Sequence, residues 1–586
     1  MNSTCKNCKN QFSIGAEDLK FYQMISPAIG GKKLEMPVPT LCFACRHQKR
    51  LAFRNEINLY HRKCDSSGKQ IISMYSPDKP YKIYDQHIWW SDSWNPVDFG
   101  QDFDFNKSFF EQYKELQLQV PRMNLNNINN ENSDYCNLAM NDKNCYLVFT
   151  ADEDEDCCYL RFADRNYRCF DCDYTYDSID CYGCFDIQKC NNCNFSHKCI
   201  NSGDLYMCYN MIGCNDCMGC ANLRNKKFCI FNEQCAGREN FLKKKLELKL
   251  NTYSGFVEFK KKYEEFLQKQ PRKYLEIVNC ENSLGDYLKD CRNAYQCYSG
   301  FGLEDCKYMI NCWKAKDCYD WDFVGGTGSE RCHEMASSAY NMVNCHFCSG
   351  CWENNSDIYY SELCLNSQNL FGCIALRHKK YCILNKQYTK EEYEELVPRI
   401  VRHMGGKVAS LRGERVGERE SGYASSSEAE LKNKQWGEFF PINLSAYAYN
   451  ESVAYEYFPF KKEEVLKRGW KWFDDETDKT YSGPESKIPD DEKEADEDIC
   501  KQILVCETTK KPYKIIPQEL KFLKMKNLPI PRKSPSQRHK ERMALRNPWA
   551  LWKRKCGKCS ADIMTTYNPK RIEPVYCEKC YLDAVG

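Results

Sequence analysis

The sequence lacks a strong charge bias and any long apolar run. Its 84 basic and 82 acidic side chains leave a net charge of +2, so a preference for nucleic acid must come from local patches. No apolar run approaches the roughly 18 residues that a membrane span needs. The first residues, MNSTCKNCKNQFS, do not have the basic and then apolar pattern of a secretory signal. We therefore expect a cytoplasmic protein with no membrane partner.

Short catalytic signatures are missing as well. The chain contains no GxxxxGK[ST], HExxH or GxSxG sequence, which excludes the usual forms of P-loop, zinc-peptidase and serine-hydrolase chemistry. The nine histidines all stand singly, so no run of them indicates a metal site or a general base. The sequence thus predicts a protein that is not an enzyme.

Cysteine is the residue that the chain has in excess. In a reducing compartment, 41 cysteines indicate metal ligands and buried thiols, not a disulfide framework. Between residues 136 and 235, sixteen of the seventeen cysteines are separated by multiples of three residues, and only Cys158 is out of phase. A constant spacing of this kind predicts a repeating backbone unit.

The phase of three predicts a parallel β-solenoid-like tract over residues 131–235. Small apolar thiols suit inward positions, and residues such as Asp180, Asn144 and Asn192 suit the corners. Sums of the observed spacings predict coils of roughly 18 to 24 residues. Residues 276–387 repeat the pattern, and their ending CIALRHKKYCILNKQ matches CANLRNKKFCIFNEQ, 153 residues earlier. The sequence therefore predicts two tandem tracts.

The role of the tract cysteines stays open between three interpretations. Buried thiol ladders fit the small inward positions best. Metal at some positions is the second interpretation, because CxxCxxC occurs in both tracts. Redox-active thiols are the third. The tracts resemble uncharacterised bacterial cysteine-repeat proteins, and this resemblance implies no activity.

Two groups of four cysteines have the spacing of zinc sites. Paired CxxC turns supply four thiolates for a tetrahedral zinc ion, and such a closed site has a structural role. The predicted ligands are Cys5, Cys8, Cys42 and Cys45 in one group and Cys556, Cys559, Cys577 and Cys580 in the other. We therefore expect two structural zinc ions as cofactors.

The first 55 or so residues resemble a "probable zinc-ribbon" family. The matching positions are Cys5, Cys8, Phe12, Phe21, Tyr22, Pro39, Cys42, Cys45 and Arg46. Leu19 stands where that family has Gln, and an extra loop, SPAIGGKKLEMPV, follows. The resemblance implies zinc binding and, more loosely, contact with nucleic acid.

The C-terminal region repeats this unit. DLKF at residues 18–21 matches ELKF at residues 519–522, and RHQKRLAFRNEINLYHRKC at 46–64 matches RHKERMALRNPWALWKRKC at 538–556. The ligand sets have diverged in a complementary way. The first ribbon of the C-terminal copy keeps only Cys506, and the second ribbon of the N-terminal copy keeps only Cys64. Each copy is therefore predicted to be a two-ribbon unit with one zinc site.

A basic helix is predicted between the two ribbons of each copy. Its basic residues are Arg46, Lys49, Arg50 and Arg54 in the N-terminal copy and Arg538, Arg542 and Arg546 in the C-terminal copy. A spacing of four residues places the arginines on one face. That face can contact nucleic-acid phosphates, for which arginine is well suited, or it can pair with acidic residues nearby. Both interpretations stay open.

The remaining segments complete the predicted organisation of a mainly β protein with short helices. The aromatic residues of 64–130 are predicted to form a packed cap, with a stacking surface as the alternative. The predicted segments are a zinc ribbon with basic helix (1–63), an aromatic cap (64–130), tract 1 (131–235), a helical connector (236–275), tract 2 (276–387), a helix with flexible linker (388–432), an aromatic segment (433–473), a disordered acidic linker (474–498), a degenerate ribbon with basic helix (499–555) and a zinc ribbon (556–586).

Three functional hypotheses follow from this organisation. The first is a non-enzymatic zinc protein whose basic ribbon units bind RNA or DNA and are held by a cysteine-rich solenoid. The second is a scaffold that binds protein partners, and the third is a metal–sulfur or redox protein.

Overall fold

Parallel strands make up most of the sheet structure in the computed structural model. The structure describes residues 1–330, 333–336, 347–351, 354–410, 435–474, 483 and 486–585. The fold is mixed, with 29% strand and 24% helix, and the described residues form no closed barrel. The prediction of a mainly β fold is therefore confirmed only in part, because strand exceeds helix but the fold is mixed.

The chain divides into two units, and each unit is assembled from two separate stretches. Unit 1 contains Met1–Asn124 and Glu276–Phe473, and unit 2 contains Leu125–Leu275 and Asp474–Gly586. Each unit thus combines one of the terminal ribbon regions with one of the two tracts. The N-terminal ribbon region shares unit 1 with tract 2, and the C-terminal ribbon region shares unit 2 with tract 1.

The N-terminal region consists of short hairpins and short helices. Its strands are β1 (Asn2–Thr4), β2 (Gln11–Ser13), β3 (Ala28–Ile29), β4 (Lys32–Glu35), β5 (Tyr60–Lys63), β6 (Gln70–Ser73), β7 (Ile83–Tyr84) and β8 (Arg122–Met123). Its helices are α1 (Ala16–Met24), α2 (Phe43–Leu51), α3 (Gln86–Trp90) and α4 (Phe109–Gln119), with a 3₁₀ turn at Pro96–Phe99. The antiparallel pairs β1–β2 and β5–β6 are the hairpins of the two ribbons.

Tract 1 is a run of very short strands that ends in two helices. The strands are β9 (Asn127–Ile128), β10 (Asn137–Met140), β11 (Phe149–Asp152), β12 (Arg161–Asp164), β13 (Asp173–Tyr176), β14 (Phe185–Gln188), β15 (His197–Ile200), β16 (Gly203–Tyr206), β17 (Asn215–Met218), β18 (Lys227–Ile230) and β19 (Glu233–Gln234). They are followed by α5 (Arg238–Glu247), α6 (Tyr253–Gln268) and β20 (Arg272–Lys273).

Tract 2 has the same organisation. Its strands are β21 (Ile277–Val278), β22 (Leu284–Lys289), β23 (Tyr295–Phe301), β24 (Ile310–Lys316), β25 (Tyr319–Glu330), β26 (His333–Ala336), β27 (Ser356–Tyr359), β28 (Gln368–Phe371), β29 (Lys380–Ile383) and β30 (Lys386–Gln387). Helix α7 (Lys390–His403) and strand β31 (Lys407–Ser410) follow. The tract cysteines Cys332 and Cys345 lie outside the described residues.

The remaining elements belong to the aromatic segment and the C-terminal ribbons. The aromatic segment contains 3₁₀ turns at Ile442–Leu444 and Tyr449–Glu451 and helices α8 (Val453–Tyr457) and α9 (Lys462–Lys467). The C-terminal region contains 3₁₀ turns at Glu492–Glu494 and Glu497–Cys500, strands β32 (Leu504–Val505), β33 (Pro512–Tyr513), β34 (Trp552–Lys555), β35 (Asp562–Thr565) and β36 (Val575–Tyr576), and helices α10 (Pro517–Lys526), α11 (Pro535–Met543) and α12 (Glu578–Val585).

Successive strands of a tract pair in parallel at a nearly constant offset of twelve residues. In tract 1, Asn137 lies opposite Phe149, and Phe149 lies opposite Arg161. In tract 2, Tyr298 lies opposite Ile310 at the same offset. The predicted repeat of 18 to 24 residues is therefore wrong. One repeat is twelve residues long, because residues twelve apart lie opposite each other on neighbouring strands. The nine- and twelve-residue cysteine spacings are therefore not parts of one longer repeat.

A left-handed backbone conformation recurs at every third residue of the tracts. In tract 1, every third residue from Leu138 to Phe231 has a positive φ. The predicted corner residues Asp180, Asn144 and Asn192 are among them, with φ of 56°, 55° and 54°. Asn and Asp tolerate this conformation better than other non-glycine residues. Four such corners therefore divide each twelve-residue repeat into three-residue sides.

The side chain that opens each three-residue side points inward, and most of these side chains are buried. Cys157 shows why a thiol fits this position. Its Sγ donates to the carbonyl of Glu155 at 3.2 Å and accepts the backbone N–H of Cys169 at 3.4 Å. Ser178 occupies an equivalent position and accepts the N–H of Cys190 at 3.2 Å. The inward side chains thus provide hydrogen bonds to buried backbone amides that would otherwise lack a partner.

The predicted linkers are ordered where the structure describes them. Strand β31 pairs antiparallel with β4, so residues 407–410 are not a flexible linker, and residues 411–434 lie outside the described residues. The acidic segment was predicted to be disordered, which is wrong for residues 486–498. Asp490 accepts the N–H of Ser254 at 2.9 Å, because its carboxylate lies at the start of α6. Residues 475–482 and 484–485 lie outside the described ranges.

None of the helices in the described ranges has the length and apolar character of a membrane span.

Candidate metal centres and buried arginine helices

The eight cysteines predicted as zinc ligands come together in two groups of four. In each group the four Sγ atoms lie within 4.8 Å of one another. The Sγ atoms of Cys8 and Cys42 are 3.7 Å apart, and those of Cys559 and Cys577 are 3.8 Å apart. A tetrahedral zinc ion with Zn–S bonds of about 2.3 Å requires S–S edges of about 3.8 Å. Both groups therefore fit a four-thiolate metal site.

The local fold positions these cysteines. Cys5 and Cys8 lie in the turn between β1 and β2, while Cys42 is the N-cap of α2 and Cys45 lies in its first turn. The Asn7 side-chain amide donates to Cys45 Sγ at 3.3 Å. A hairpin turn and a helix N-terminus each contribute two sulfurs, as expected for a ribbon.

The C-terminal group is stabilised by backbone amides. The N–H of Cys577 donates to Cys556 Sγ at 3.3 Å. Burial opposes ionisation of Cys556, but the backbone amides of Cys559 and Cys577 lower the pKa of this thiol to about 6. A thiolate is the form that binds a metal ion, and a set of four protein ligands leaves no position open for a substrate.

Each of the two degenerate ribbons keeps one cysteine, Cys64 or Cys506, at a former ligand position. Cys64 Sγ accepts the backbone N–H of Asp85 at 3.3 Å, which corresponds to the bond between Cys577 and Cys556. Asp85 occupies the ligand position of Cys577 and caps α3 by accepting the N–H of His87. Ser534 occupies the ligand position of Cys42 and caps α11 by accepting the N–H of Gln537. At these two positions a helix-capping side chain has replaced a metal ligand.

The cysteines of the two tracts do not form comparable groups. Among the described residues, the only groups of at least three close metal-ligand atoms are the two ribbon groups. Burial raises the pKa of tract thiols such as Cys157 and Cys297, which keeps them protonated, whereas hydrogen bonds from neighbouring thiols outweigh burial and lower the pKa of Cys181 and Cys351. Protonated thiols hydrogen-bonded to carbonyl groups are poor ligands and poor nucleophiles.

The arginines of α2 are buried against tract 2. Arg46 Nε lies 2.9 Å from Asp320 Oδ1, and Arg50 contacts both Asp320 and Asp322. His47 Nδ1 lies 2.9 Å from Asp322. The side chain of Arg50 is 0% exposed, so protein carboxylates and not water stabilise its charge.

The arginines of α11 form the same arrangement on tract 1. Arg538 Nε lies 2.8 Å from Asp171, and Arg542 contacts Asp171 at 2.8 Å and Asp173 at 2.6 Å. His539 Nδ1 lies 2.9 Å from Asp173. Burial opposes ionisation of Asp173, but Arg542 and His539 hold its pKa below the ordinary value. This contact therefore consists of charged groups on both sides.

The other residues predicted to bind nucleic acid also contact protein groups. Lys49 lies 3.4 Å from Glu438, and Arg54 pairs with Glu56. Arg546 lies over the rings of Tyr174 and Trp549, at 4.8 and 4.6 Å from their centres. All seven predicted residues thus have partners within their own unit, and a phosphate would have to displace those partners.

The acidic partners were missed in the sequence, although a signal for them exists. Residues 170–174 read FDCDY and residues 319–323 read YDWDF, which is the same aromatic-Asp-x-Asp-aromatic pattern 149 residues apart. The aromatic residue that begins each pattern also contacts a ribbon unit. Phe21 stacks on Tyr319 at 3.7 Å and Phe522 on Phe170 at 4.5 Å. Comparison of the two tracts would have revealed this shared pattern, although not the helices that it contacts.

The aromatic cap predicted for residues 64–130 packs within unit 1. The indole N–H of Trp89 donates to Pro121 O at 3.0 Å. The guanidinium of Arg377, near the end of tract 2, lies over the rings of Trp89 and Trp90, at 4.3 and 4.9 Å. These indoles therefore contact protein groups, which agrees with a packed cap.

Comparisons with known proteins add little to these observations. No family model matches the chain, and no curated protein matches it. One solved structure, described as that of a candidate acetyltransferase from Desulfovibrio desulfuricans G20, is similar over 41% of this chain and 62% of its own length, with 11% identity and a TM-score of 0.11. The chain thus spans about three fifths of that protein, and a TM-score this low supports no inference about fold or activity.

Proposed function

We propose that the protein is a non-enzymatic, zinc-stabilised scaffold for protein partners. The observation that carries this proposal is the burial of both arginine helices against aspartates of the tracts. Arginines that hold a ribbon on its tract are not free to recognise a phosphate. The basic helices then have an internal role, and the outer faces of the tracts are the surfaces left for recognition.

The proposal treats each tract as a narrow β-solenoid. The parallel offset of twelve residues and the left-handed corner at every third residue support this architecture. Continuous ladders of inward side chains, with thiols as the commonest type, also support it. A solenoid of this kind provides a rigid, extended surface on which side chains twelve residues apart lie side by side.

Zinc is the metal that the two four-cysteine groups fit best. Four thiolates at S–S distances of 3.7 and 3.8 Å suit a small tetrahedral ion with soft ligands. Each site joins a hairpin to a helix N-terminus, so the metal would stabilise the ribbon. The described tract cysteines form no group of three or more close ligand atoms, which argues against the metal–sulfur alternative.

An exposed aromatic column on tract 2 is the best candidate for the recognition surface. Phe301 and Trp313 are register partners on β23 and β24, and they are 40% and 46% exposed. Val278 is 54% exposed and begins the same column on β21, with Lys289 of β22 between it and Phe301. Adjacent exposed aromatic side chains are typical of protein-binding surfaces.

The test is the recovery of bound protein by the full-length chain. We expect wild-type protein to retain the same partner after nuclease treatment and in about 0.5 M salt, where long-range electrostatic attraction is screened. A Phe301→Ser/Trp313→Ser variant should lose that partner, because its central apolar contacts are removed. Ile572→Ser, in the other unit, removes a similarly exposed side chain and should have no effect. Retention of the partner by the double variant would contradict the proposal.

Nucleic-acid binding is the second candidate, and exposed lysines of the C-terminal region favour it. The exposed lysines of this region include Lys510, Lys511, Lys514, Lys521, Lys524, Lys540, Lys553, Lys555 and Lys558. Titration with RNA and DNA distinguishes the two candidates. Affinity that falls steeply with salt and is lost in Lys521→Glu/Lys524→Glu would favour nucleic acid as the partner.

A further inference from the structure

The two tracts end in hairpins with the same internal hydrogen bonds. At the end of tract 2, the side-chain oxygen of Asn385 accepts the N–H of Ile374 at 2.7 Å, and its amide donates to Ile374 O at 2.9 Å. At the end of tract 1, Asn232 makes the same two bonds with Ala221, both at 2.9 Å. The two ends are therefore copies of one structure.

Within the described part of the chain, a segment of the aromatic cap covers the end of tract 2 around Asn385, and no equivalent segment lies over Asn232. Residues 95–102, NPVDFGQD, lie across the end of tract 2. The carbonyl of Pro96 accepts a second N–H of Asn385 at 2.9 Å, and the N–H of Gln101 donates to Leu384 O at 3.1 Å. Val97 packs against the buried side chains of the tract. Asn385 and Leu384 are consequently 0% exposed.

The covering segment fits closely at one glycine. A Cβ at Gly100 would lie 2.7 Å from Lys386 Cα and 2.8 Å from the carbonyl group of Asn385. The next contact is ionic, because Asp102 lies 2.5 Å from Lys386 Nζ. The end of tract 2 thus accommodates a Pro-apolar turn, a glycine and an acidic residue.

The end of tract 1 is open at the corresponding positions. Asn232 is exposed, whereas Asn385 is buried, and Leu223 and Phe231 are only partly buried. The charge at this end is reversed, because Glu233 stands where tract 2 has Lys386. No segment of the described chain covers Asn232 in the way that residues 95–102 cover Asn385.

We propose that the end of tract 1 around Asn232 binds a segment of a partner protein that resembles residues 95–102 but carries a basic residue in place of Asp102. The proline of the partner segment supplies its carbonyl to the second side-chain N–H of Asn232. The apolar residue after the proline packs against Leu223. The glycine lies against the backbone of residues 232–233, and the basic residue pairs with Glu233. This inference rests on the proposed scaffold function and assigns it a second recognition site, apart from the Phe301–Trp313 column.

Two fluorescent peptides test this proposal with the full-length protein. One carries residues 94–103, WNPVDFGQDF, and the other carries the same residues with Asp102→Lys. We expect the lysine peptide to bind with one site per chain and about fivefold more tightly than the aspartate peptide, because repulsion by Glu233 is replaced by attraction. A peptide with both Asp102→Lys and Gly100→Ala is the matched control and should not bind, since its Cβ would meet the backbone.

A Glu233→Lys variant completes the experiment. Glu233 is exposed, so the substitution should leave the fold intact, and the preference should reverse in favour of the aspartate peptide. Absence of binding, equal binding of both peptides by the two proteins, or binding of the alanine peptide would overturn the proposal. Failure at this site would leave the scaffold function to be judged by the Phe301→Ser/Trp313→Ser variant.

Discussion

At the scale of single residues, cysteine acts in this protein as a buried hydrogen-bonding side chain much more often than as a metal ligand. Cys172 Sγ accepts the N–H of Cys184 at 3.4 Å, and Ser196 accepts the N–H of Cys208 at 3.2 Å in the same ladder. Thiol and hydroxyl thus serve the same purpose, and the thiol also contributes apolar volume to a narrow core. The cysteine spacing of three could be predicted from the sequence, because every three-residue side of the repeat needs a small inward side chain that accepts a backbone N–H.

Two inward positions near the start of tract 1 carry carboxyl groups in place of thiols. Asp142 accepts the N–H of Asp154 at 3.0 Å, and Asp154 accepts that of Asn166 at 2.8 Å. Among the described residues, the Oδ2 atom of each aspartate has no hydrogen-bond partner. Burial raises the pKa of Asp142 to about 7 and, together with repulsion from Asp142, raises that of Asp154 well above its usual value.

These raised pKa values predict that unit 2 loses stability as the pH rises. The unfolded chain releases the proton of Asp142 near pH 4, whereas the folded chain keeps it until about pH 7. The free energy of unfolding should therefore fall between pH 4 and 7 and then level off for this group. Asp142→Asn should flatten that slope and stabilise unit 2 at pH 8 by on the order of 2–4 kcal/mol. Urea unfolding of both proteins from pH 4 to 8 measures the difference.

Asp134→Asn is the control for this experiment. Asp134 is exposed and lies in the same tract, so its replacement should leave the pH dependence unchanged. A slope that is the same in wild-type protein and Asp142→Asn would show that the buried carboxyl group titrates normally.

At the scale of secondary-structure elements, the arginine helices show what the sequence could predict and what it could not. The spacing of four correctly placed Arg46 and Arg50 on one face of α2, but Arg54 and Arg546 lie beyond the ends of their helices at Leu51 and Met543. The partner of that face could not be read from the spacing, because Asp320 and Asp322 lie about 270 residues further along the chain. Helical periodicity describes a local pattern, whereas the choice between a phosphate and an aspartate depends on tertiary packing.

Removal of one aspartate should weaken the attachment of α2 strongly. Asp322→Ala removes one of the two carboxylates that contact the buried Arg50, together with the carboxylate that His47 contacts. Loss of one partner from a buried ion pair destabilises a protein by about 3–5 kcal/mol. We expect a reduction of this size in the free energy of unfolding of unit 1. Hydrogen exchange should become faster in α2 and β25 before other parts of the unit respond.

Glu304→Ala is the matched control on the same tract. Glu304 pairs with Arg292, whose side chain is 55% exposed, so this ion pair is accessible to solvent. Its loss should change the stability by less than about 1 kcal/mol. Equal effects of the two substitutions would mean that the contact between α2 and tract 2 does not depend on its buried charges.

At the scale of the whole molecule, the chain contains two copies of a ribbon region and two copies of a tract. Each ribbon region shares a unit with the tract that lies further from it in the sequence. The duplication and both ligand sets could be recognised from the sequence, because the copies keep their order and the CxxC spacing is distinctive. The pairing of each ribbon region with the tract more distant in sequence could not be recognised. It depends on the two aromatic-Asp-x-Asp-aromatic surfaces, which are ordinary tract residues in composition.

The complementary loss of ligands predicts one metal ion in each unit. Wild-type protein should contain about two zinc ions per chain and no iron. Cys42→Ser/Cys45→Ser should lose only the ion of unit 1, and Cys577→Ser/Cys580→Ser only that of unit 2, because two thiolates are too few to hold zinc. Elemental analysis of the purified proteins, normalised to protein concentration, gives these values directly.

The two solitary cysteines are the decisive controls for this metal count. Cys64 and Cys506 occupy ligand positions in ribbons whose other ligands have been replaced, in part by the helix-capping residues Asp85 and Ser534. Cys64→Ser and Cys506→Ser should each retain two zinc ions, although the loss of hydrogen bonds to sulfur lowers stability by about 1 kcal/mol. A lower zinc content in either variant would mean that a degenerate ribbon still binds metal. A zinc content well above two in wild-type protein would instead mean that tract cysteines also bind metal. That result would support metal binding in the tracts, which the hydrogen bonding of their thiols argues against.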